Sequence, residues 1–155
     1  MQPQELITIL ENSFGKKAKD MNFAIRKAYS YSKNMFNDTD IVKQVKILPL
    51  LNSNHIYVKY WGAVIALSYG LLEERAIKEL LYILDLNPKE FAKEFDILLA
   101  LELNILKMDI GSTLYDYKKN GIIGSFPGHN DHIKISDMPH YGLVVRYYKR
   151  KYKNR

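Results

Sequence analysis

The stretch "IYVKYWGAVIALSYG", residues 56–70, constrains this chain more than any other part of it. On a 100° wheel Val58, Trp61, Ile65 and Tyr69 face one way, and Tyr57, Tyr60, Val64 and Leu67 another. Apolar side chains therefore nearly surround the helix, and such a helix belongs in the middle of a bundle with neighbours on more than one side. Gly62, Ala63 and Ala66 are small enough to let those neighbours come close. Gly70 is the expected stop, one residue past the cap. The run falls short of the roughly 20 apolar residues that span a bilayer, so no membrane is expected.

The flanking sequence supplies helices to pack against it. Residues 3–14 place Leu6, Ile9, Leu10 and Phe14 at helical spacing behind Pro3, and residues 16–36 carry Met21, Ala24, Ile25, Ala28, Tyr31 and Met35 in one stripe. "NDTD" at 37–40 is a turn with Thr39 or Asp40 placed to cap a helix bearing Ile41, Val42, Val45, Leu48 and Leu51. Pro49 is expected to kink or shorten that helix near its end. "NSN" at 52–54 is the next turn, with Asn54 as candidate cap. Residues 71–86 set Ala76, Leu80, Ile83 and Leu84 in a stripe, with Glu74 and Lys78 as an i,i+4 pair. After Asn87-Pro88, residues 88–106 read as one helix with Phe91, Phe95, Leu98, Leu99, Glu102 and Ile105 in one sector. A last helix includes "STLYDYKKN" and ends at Gly121.

Two successive helix pairs share one layout: "DIVKQVKILPLL", "NSN", "IYVKYWGAVIALSYG", then "EERAIKELLYILDL", "NP", "KEFAKEFDILLALEL". Their period of roughly 35–40 residues is in the range of helical-repeat proteins. "VKYWGAVIALSYG" resembles the second helix of a HEAT-type repeat: Val58-Lys59 in the opening pair, Gly62 and Ala63 as small residues, Tyr69-Gly70 at the close. "ERAIKELLYILDLN" looks like the first helix of the next repeat. Lys59 stands where that family usually has Arg, and Asn52 or Asn54 where it often has Asp, so a weaker link between turn and helix is expected. Residues 5–121 resemble a family of short HEAT-like bacterial proteins of unknown function, through Asn22 in "AKDMNFAIRKAY", the "LPLLNS…VKYWGAVIAL" pair and "TLYDYKKNG". The expected fold is all-α: a HEAT-like antiparallel array of about six or seven helices over 1–121, then an irregular basic extension over 122–155. Some members of such families look like immunity proteins, so the resemblance implies a non-catalytic protein-binding module that neutralises a toxin by occluding it.

The extension reads differently from the body. Gly, Pro, Asn and Asp punctuate it without a helical period, and "HIKIS" is a candidate extended segment. "LVVRYYKRKY" is open between strand and tail helix, its β-branched and aromatic content leaning to extended structure. Six of the 23 basic residues lie in the last ten positions, so the rest of the chain carries 17 basic against 17 acidic side chains. Attraction to an acidic partner is thus concentrated in the tail.

Candidate chemistry is sparse. The chain has no cysteine, which excludes thiol catalysis and cysteine-ligated zinc and suits a reducing cytosol. The N-terminus lacks a secretory pattern, and a cytoplasmic location is expected. No phosphate-binding Gly-rich loop or Gly-x-Ser-x-Gly elbow is present. His129, His132 and His140 with Asp131 and Asp137 could ligate a metal, but a loop does not hold two imidazoles on one face, and ordinary polar loop residues are the expectation. No catalytic residue, metal or cofactor is assigned. Glu102 is the one carboxylate that the helical period puts beside an apolar sector, and burial would raise its pKa. The partner-binding candidates are Tyr57, Tyr60 and Trp61, against a core role that their helix favours, and Arg146, Tyr147, Tyr148, Lys149, Arg150 and Lys151 of the tail. Basic side chains interleaved with tyrosine could hold phosphates and stack on bases, so nucleic acid is the alternative partner.

Overall fold

The computed structural model describes residues 1–92, 96–123 and 135–152. Among them the secondary structure is helical throughout, with no strand. The helices are α1 (Pro3–Ser13), α2 (Ala18–Asn34), α3 (Asp40–Leu51), α4 (Ile56–Ser68), α5 (Glu73–Leu84), the single turn α6 (Pro88–Ala92), α7 (Ile97–Asn120) and α8 (Met138–Lys151). A short 3-10 turn, Ile135–Asp137, leads into α8. No described helix is long and apolar enough to cross a membrane.

The helix ends follow local chemistry. Thr39 Oγ1 accepts from the Val42 amide and caps α3. At α4 the cap is His55 and not Asn54: its Nδ1 accepts from the Tyr57 amide at 3.2 Å. Burial holds the His55 imidazole below its ordinary pKa against the opposing pull of Glu11, which keeps Nδ1 free to accept. Pro49 sits inside α3, and the helix runs only two residues past it. Gly70, at φ 66°, closes α4 with its amide bonded to Leu67 O and the Leu71 amide to Ala66 O, the paired bonds of a left-handed C-terminal cap.

The core is built around α4. Every residue of α4 except Lys59 and Ser68 is buried, and the helix packs on α1, α3 and α5. Gly62 makes the α3 crossing possible: a Cβ there would lie 2.8 Å from Leu50 Cβ and 3.0 Å from the Leu51 amide nitrogen. The polar link across the α3–α4 turn is not the one expected of Lys59 and an Asn. Lys59 Nζ donates to Leu51 O and Glu79, while Arg75 of α5 donates to Asn52 Oδ1 at 2.6 Å, to Leu51 O and to Glu79. Glu79 thus ties the turn to the following helix.

Two expectations are corrected. The helix read over 88–106 and the last helix near Gly121 are largely one: α7 runs unbroken from Ile97 to Asn120, capped by Asp96 at one end and closed by Gly121 at φ 78° at the other. The extension, expected to be irregular, contains α8, which packs on α7 and α5. Apolar and aromatic residues at 141, 144, 148 and 152 give α8 a buried side, and that docking outweighs the extended preference of "LVVRYY".

Candidate functional site

Most of the apolar surface of α7 is spent twice. Leu103, Leu106, Ile110, Leu114 and Tyr117 are buried in the core. A second row, Leu98, Leu101, Ile105 and Met108, remains exposed at 67%, 52%, 40% and 43%. Its 3-4-3 spacing is that of a helix seam awaiting a partner. The expected sector of Leu98, Leu99, Glu102 and Ile105 therefore straddles the boundary between core and solvent; Phe95 lies outside the described residues.

Beside this row lies a cavity of about 250 Å³. α2 forms one wall with Met21, Asn22 and Ile25; α7 forms the other with Glu102, Ile105 and Asp109. Tyr57 and Tyr60 of α4 also line it, as does Phe14, whose ring lies 4.8 Å from that of Tyr57. Glu102 and Asp109 are seven residues apart, two helical turns, which puts both carboxyls on the same side of α7. Ile105 belongs to both features, so the exposed row borders the cavity mouth.

Burial dominates the electrostatics. It pushes the Asp109 carboxyl up to about 7, and the nearby Glu102 charge adds to the rise. Glu102 is itself raised by burial, as its place beside an apolar sector implied. Burial raises Tyr57 to about 12, with the Trp61 indole opposing and Asp109 and Glu102 reinforcing. Tyr60 is held well above its ordinary value by burial first and Asp109 second, with Thr113 opposing. The cavity is thus a small, half-enclosed space with two carboxyls that repel one another's charge. It is suited to accept hydrogen bonds and positive charge.

The candidate residues distribute unevenly around it. Tyr57, Tyr60 and Trp61 are 3%, 1% and 0% exposed and form the core, so they present no wall to solvent beyond the cavity lining. On α8, Arg146, Tyr147, Lys149, Arg150 and Lys151 are exposed, whereas Tyr148 is buried. Two of the basic side chains have partners within the fold: Lys149 meets Asp85 at 2.7 Å and Lys151 meets Glu73 at 3.1 Å. Glu73 is a junction, accepting also from the hydroxyls of Tyr117 at 2.7 Å and Tyr152. Burial alone would raise the Glu73 carboxyl; those hydrogen bonds and Lys151 outweigh it and hold it below the usual range. His129, Asp131 and His132 lie outside the described residues, and no group of His, Asp and Glu among the described residues could hold a metal ion.

Sequence reasoning reached Glu102 but missed Asp109, and the signal was present: seven positions on, within a buried stripe. No family model, no curated protein and no solved structure matches the chain.

Proposed function

We propose that this chain is a non-catalytic protein-binding module whose binding face is the exposed row of α7 with the adjoining cavity. The observation that carries this reading is the row Leu98, Leu101, Ile105 and Met108, left in water at heptad spacing. A contiguous exposed apolar strip of this kind is costly to keep unless a partner covers it. The HEAT-like architecture belongs to the same proposal: α3–α4 and α5–α7 are its two helix pairs, supported by the packing of α4 on both α3 and α5. In that frame the protein is an immunity-type factor that neutralises a toxin by occlusion, the role the resemblance implies.

The test has two stages. A partner is captured from the native cell by cross-linking, purified, and titrated against the wild type and a Leu101→Glu/Ile105→Glu variant. A saturable complex that weakens at least tenfold in the variant is the expected result. A complex indifferent to both substitutions, or a captured species that proves to be nucleic acid, contradicts the reading.

The nucleic-acid reading through Arg146, Lys149 and Arg150 is weakened by the pairing of Lys149 with Asp85, and the neighbouring Lys151 is likewise engaged by Glu73. Its signature is an affinity that falls steeply with salt.

A further inference from the structure

The α7 row is not the only apolar surface left in water, for α3 turns an uncharged side outward. On a 100° wheel Ile41, Val42, Val45, Leu48 and Pro49 fall within about 120° of one another, away from the buried Ile47, Leu50 and Leu51. Ile41, Val42 and Val45 are 76%, 40% and 64% exposed, and Ile41 stands further into water than any residue of the α7 row. An amphipathic helix ordinarily gives that side to charged and polar residues. The charged residues of α3 are Asp40, Lys43 and Lys46, and the wheel puts none of them in this strip. Both lysines are engaged inside the fold: Lys43 lies over the Tyr69 ring at 4.6 Å, and Lys46 meets Asp38 at 2.6 Å. The two ends of the strip differ. Ahead of the helix, Phe36 stands in the turn and is 69% exposed. At the other end Leu48 and Pro49 are half-buried, and Pro49 borders a shallow recess lined also by Ile7 and His55. One end thus carries an exposed ring and the other borders a hollow.

We propose that the α3 strip is the interface with a second copy of this chain, the two α3 helices crossing antiparallel about a two-fold axis that passes between Ile41 and Val45. A two-fold contact requires that where residue i meets j, j also meets i. The single four-residue step from Ile41 to Val45 satisfies this, with each Ile41 against Val45 of the other copy. The same register carries each Phe36 toward the Pro49 end of the other copy, so ring meets recess twice. Charge selects the same occupant. The strip offers nothing by which an acidic protein, a phosphate or an anionic lipid would be chosen, and the lysines beside it are already engaged. A second copy meets no like charge along it. Size sets the strength. Patches of roughly 300–600 Å² are the largest that monomers usually expose, and two of them face to face bury about 600–1,200 Å², below what a tight complex takes. The dimer is therefore weak and forms as concentration rises. It stands apart from the protein-binding reading, because the row on α7 takes no part in it.

The test is sedimentation equilibrium of the full chain from about 1 to about 500 μM. The expected result is a monomer–dimer equilibrium with Kd of about 10–100 μM. Ile41→Glu and Val45→Glu alter side chains that already stand in water. Each should weaken the dimer at least tenfold while the helical circular dichroism and the melting temperature of the monomer stay as in the wild type. Phe36→Ala should weaken it at least threefold. The Leu101→Glu/Ile105→Glu variant should dimerise as the wild type does, which separates this contact from the α7 row. The chain has no cysteine, so single substitutions read the register: Ile41→Cys mixed with Val45→Cys should form a disulfide-linked dimer faster than either variant alone. A chain still monomeric at about 500 μM overturns the proposal. So does a dimer lost in the α7 variant but kept in Ile41→Glu, a mass that grows past the dimer, or a mixture that cross-links no faster than its components. A monomer that binds neutral phosphatidylcholine vesicles through Ile41 would give the strip to a lipid surface and also overturn it.

Discussion

Asp109 is a carboxyl placed where its charge is unwelcome. Its folded pKa of about 7 compares with an unfolded value of about 3.9. Between those values the folded chain holds a proton that the unfolded chain has released. The contribution is fully present below about pH 4 and is lost as pH rises through 7. Stability of the wild type should therefore decline over that window, by roughly 2–4 kcal/mol. Asp109→Asn, neutral throughout, should remove most of that decline; urea unfolding at pH 5 and pH 8 measures the difference. Trp61 is fully buried, and Trp61→Ala should cost about 3–5 kcal/mol. Gly62→Ala, which drives a methyl into Leu50 and the Leu51 backbone, should cost roughly 1–3 kcal/mol. Thermal or urea unfolding reads both. A Trp61→Ala protein with unchanged melting would contradict the central place given to α4.

The elements differ in how visible they were in the sequence. The α4 helix was legible because its cause is local and complete: an all-round apolar surface, small residues for close approach, and a closing Gly70. The unbroken α7 was not. Residues 88–106 and the segment "STLYDYKKN" read as two helices, yet one helix runs through Gly111 and joins them. The reason is tertiary: Tyr141 of α8 lies where a Cβ on Gly111 would approach its own Cβ to 3.3 Å. Gly111 is a packing site for a helix 30 positions away. For the same reason α8 was hidden, since its aromatic and β-branched residues favour helix only once α5 and α7 are there to bury Tyr141, Val144, Tyr148 and Tyr152. The docking of α8 depends on Glu73, whose depressed pKa means that its contribution is present at neutral pH and is lost as pH falls through its folded value. Acid should thus loosen α8 ahead of the α1–α5 core. Amide exchange at pH 3 and pH 7 checks this, with Glu73→Gln expected to reproduce the acid result at pH 7.

At the scale of the molecule, α8 carries exposed basic residues and α7 an exposed apolar row. Two of the basic residues of α8 are engaged within the fold, Lys149 by Asp85 and Lys151 by Glu73. The apolar row and the acidic cavity share another surface, walled by α2 and α7. The exposed row of α7 argues for a partner held by apolar contact. Such contacts are screened less by salt than exposed pairs are. Binding should accordingly change less than about tenfold between 50 and 300 mM salt, whereas phosphate contacts made by α8 would lose several orders of magnitude. The positions of Leu98, Leu101 and Ile105 on a helix were legible in the sequence. Their exposure was not, because it depends on which side of α7 the other helices cover.

The most direct measurement is amide hydrogen exchange of the full chain with and without its purified partner. The account predicts new protection in α2 and in residues 97–109 of α7, with α8 unchanged. Protection confined to α8, with α2 and α7 exchanging as in the free protein, would contradict it.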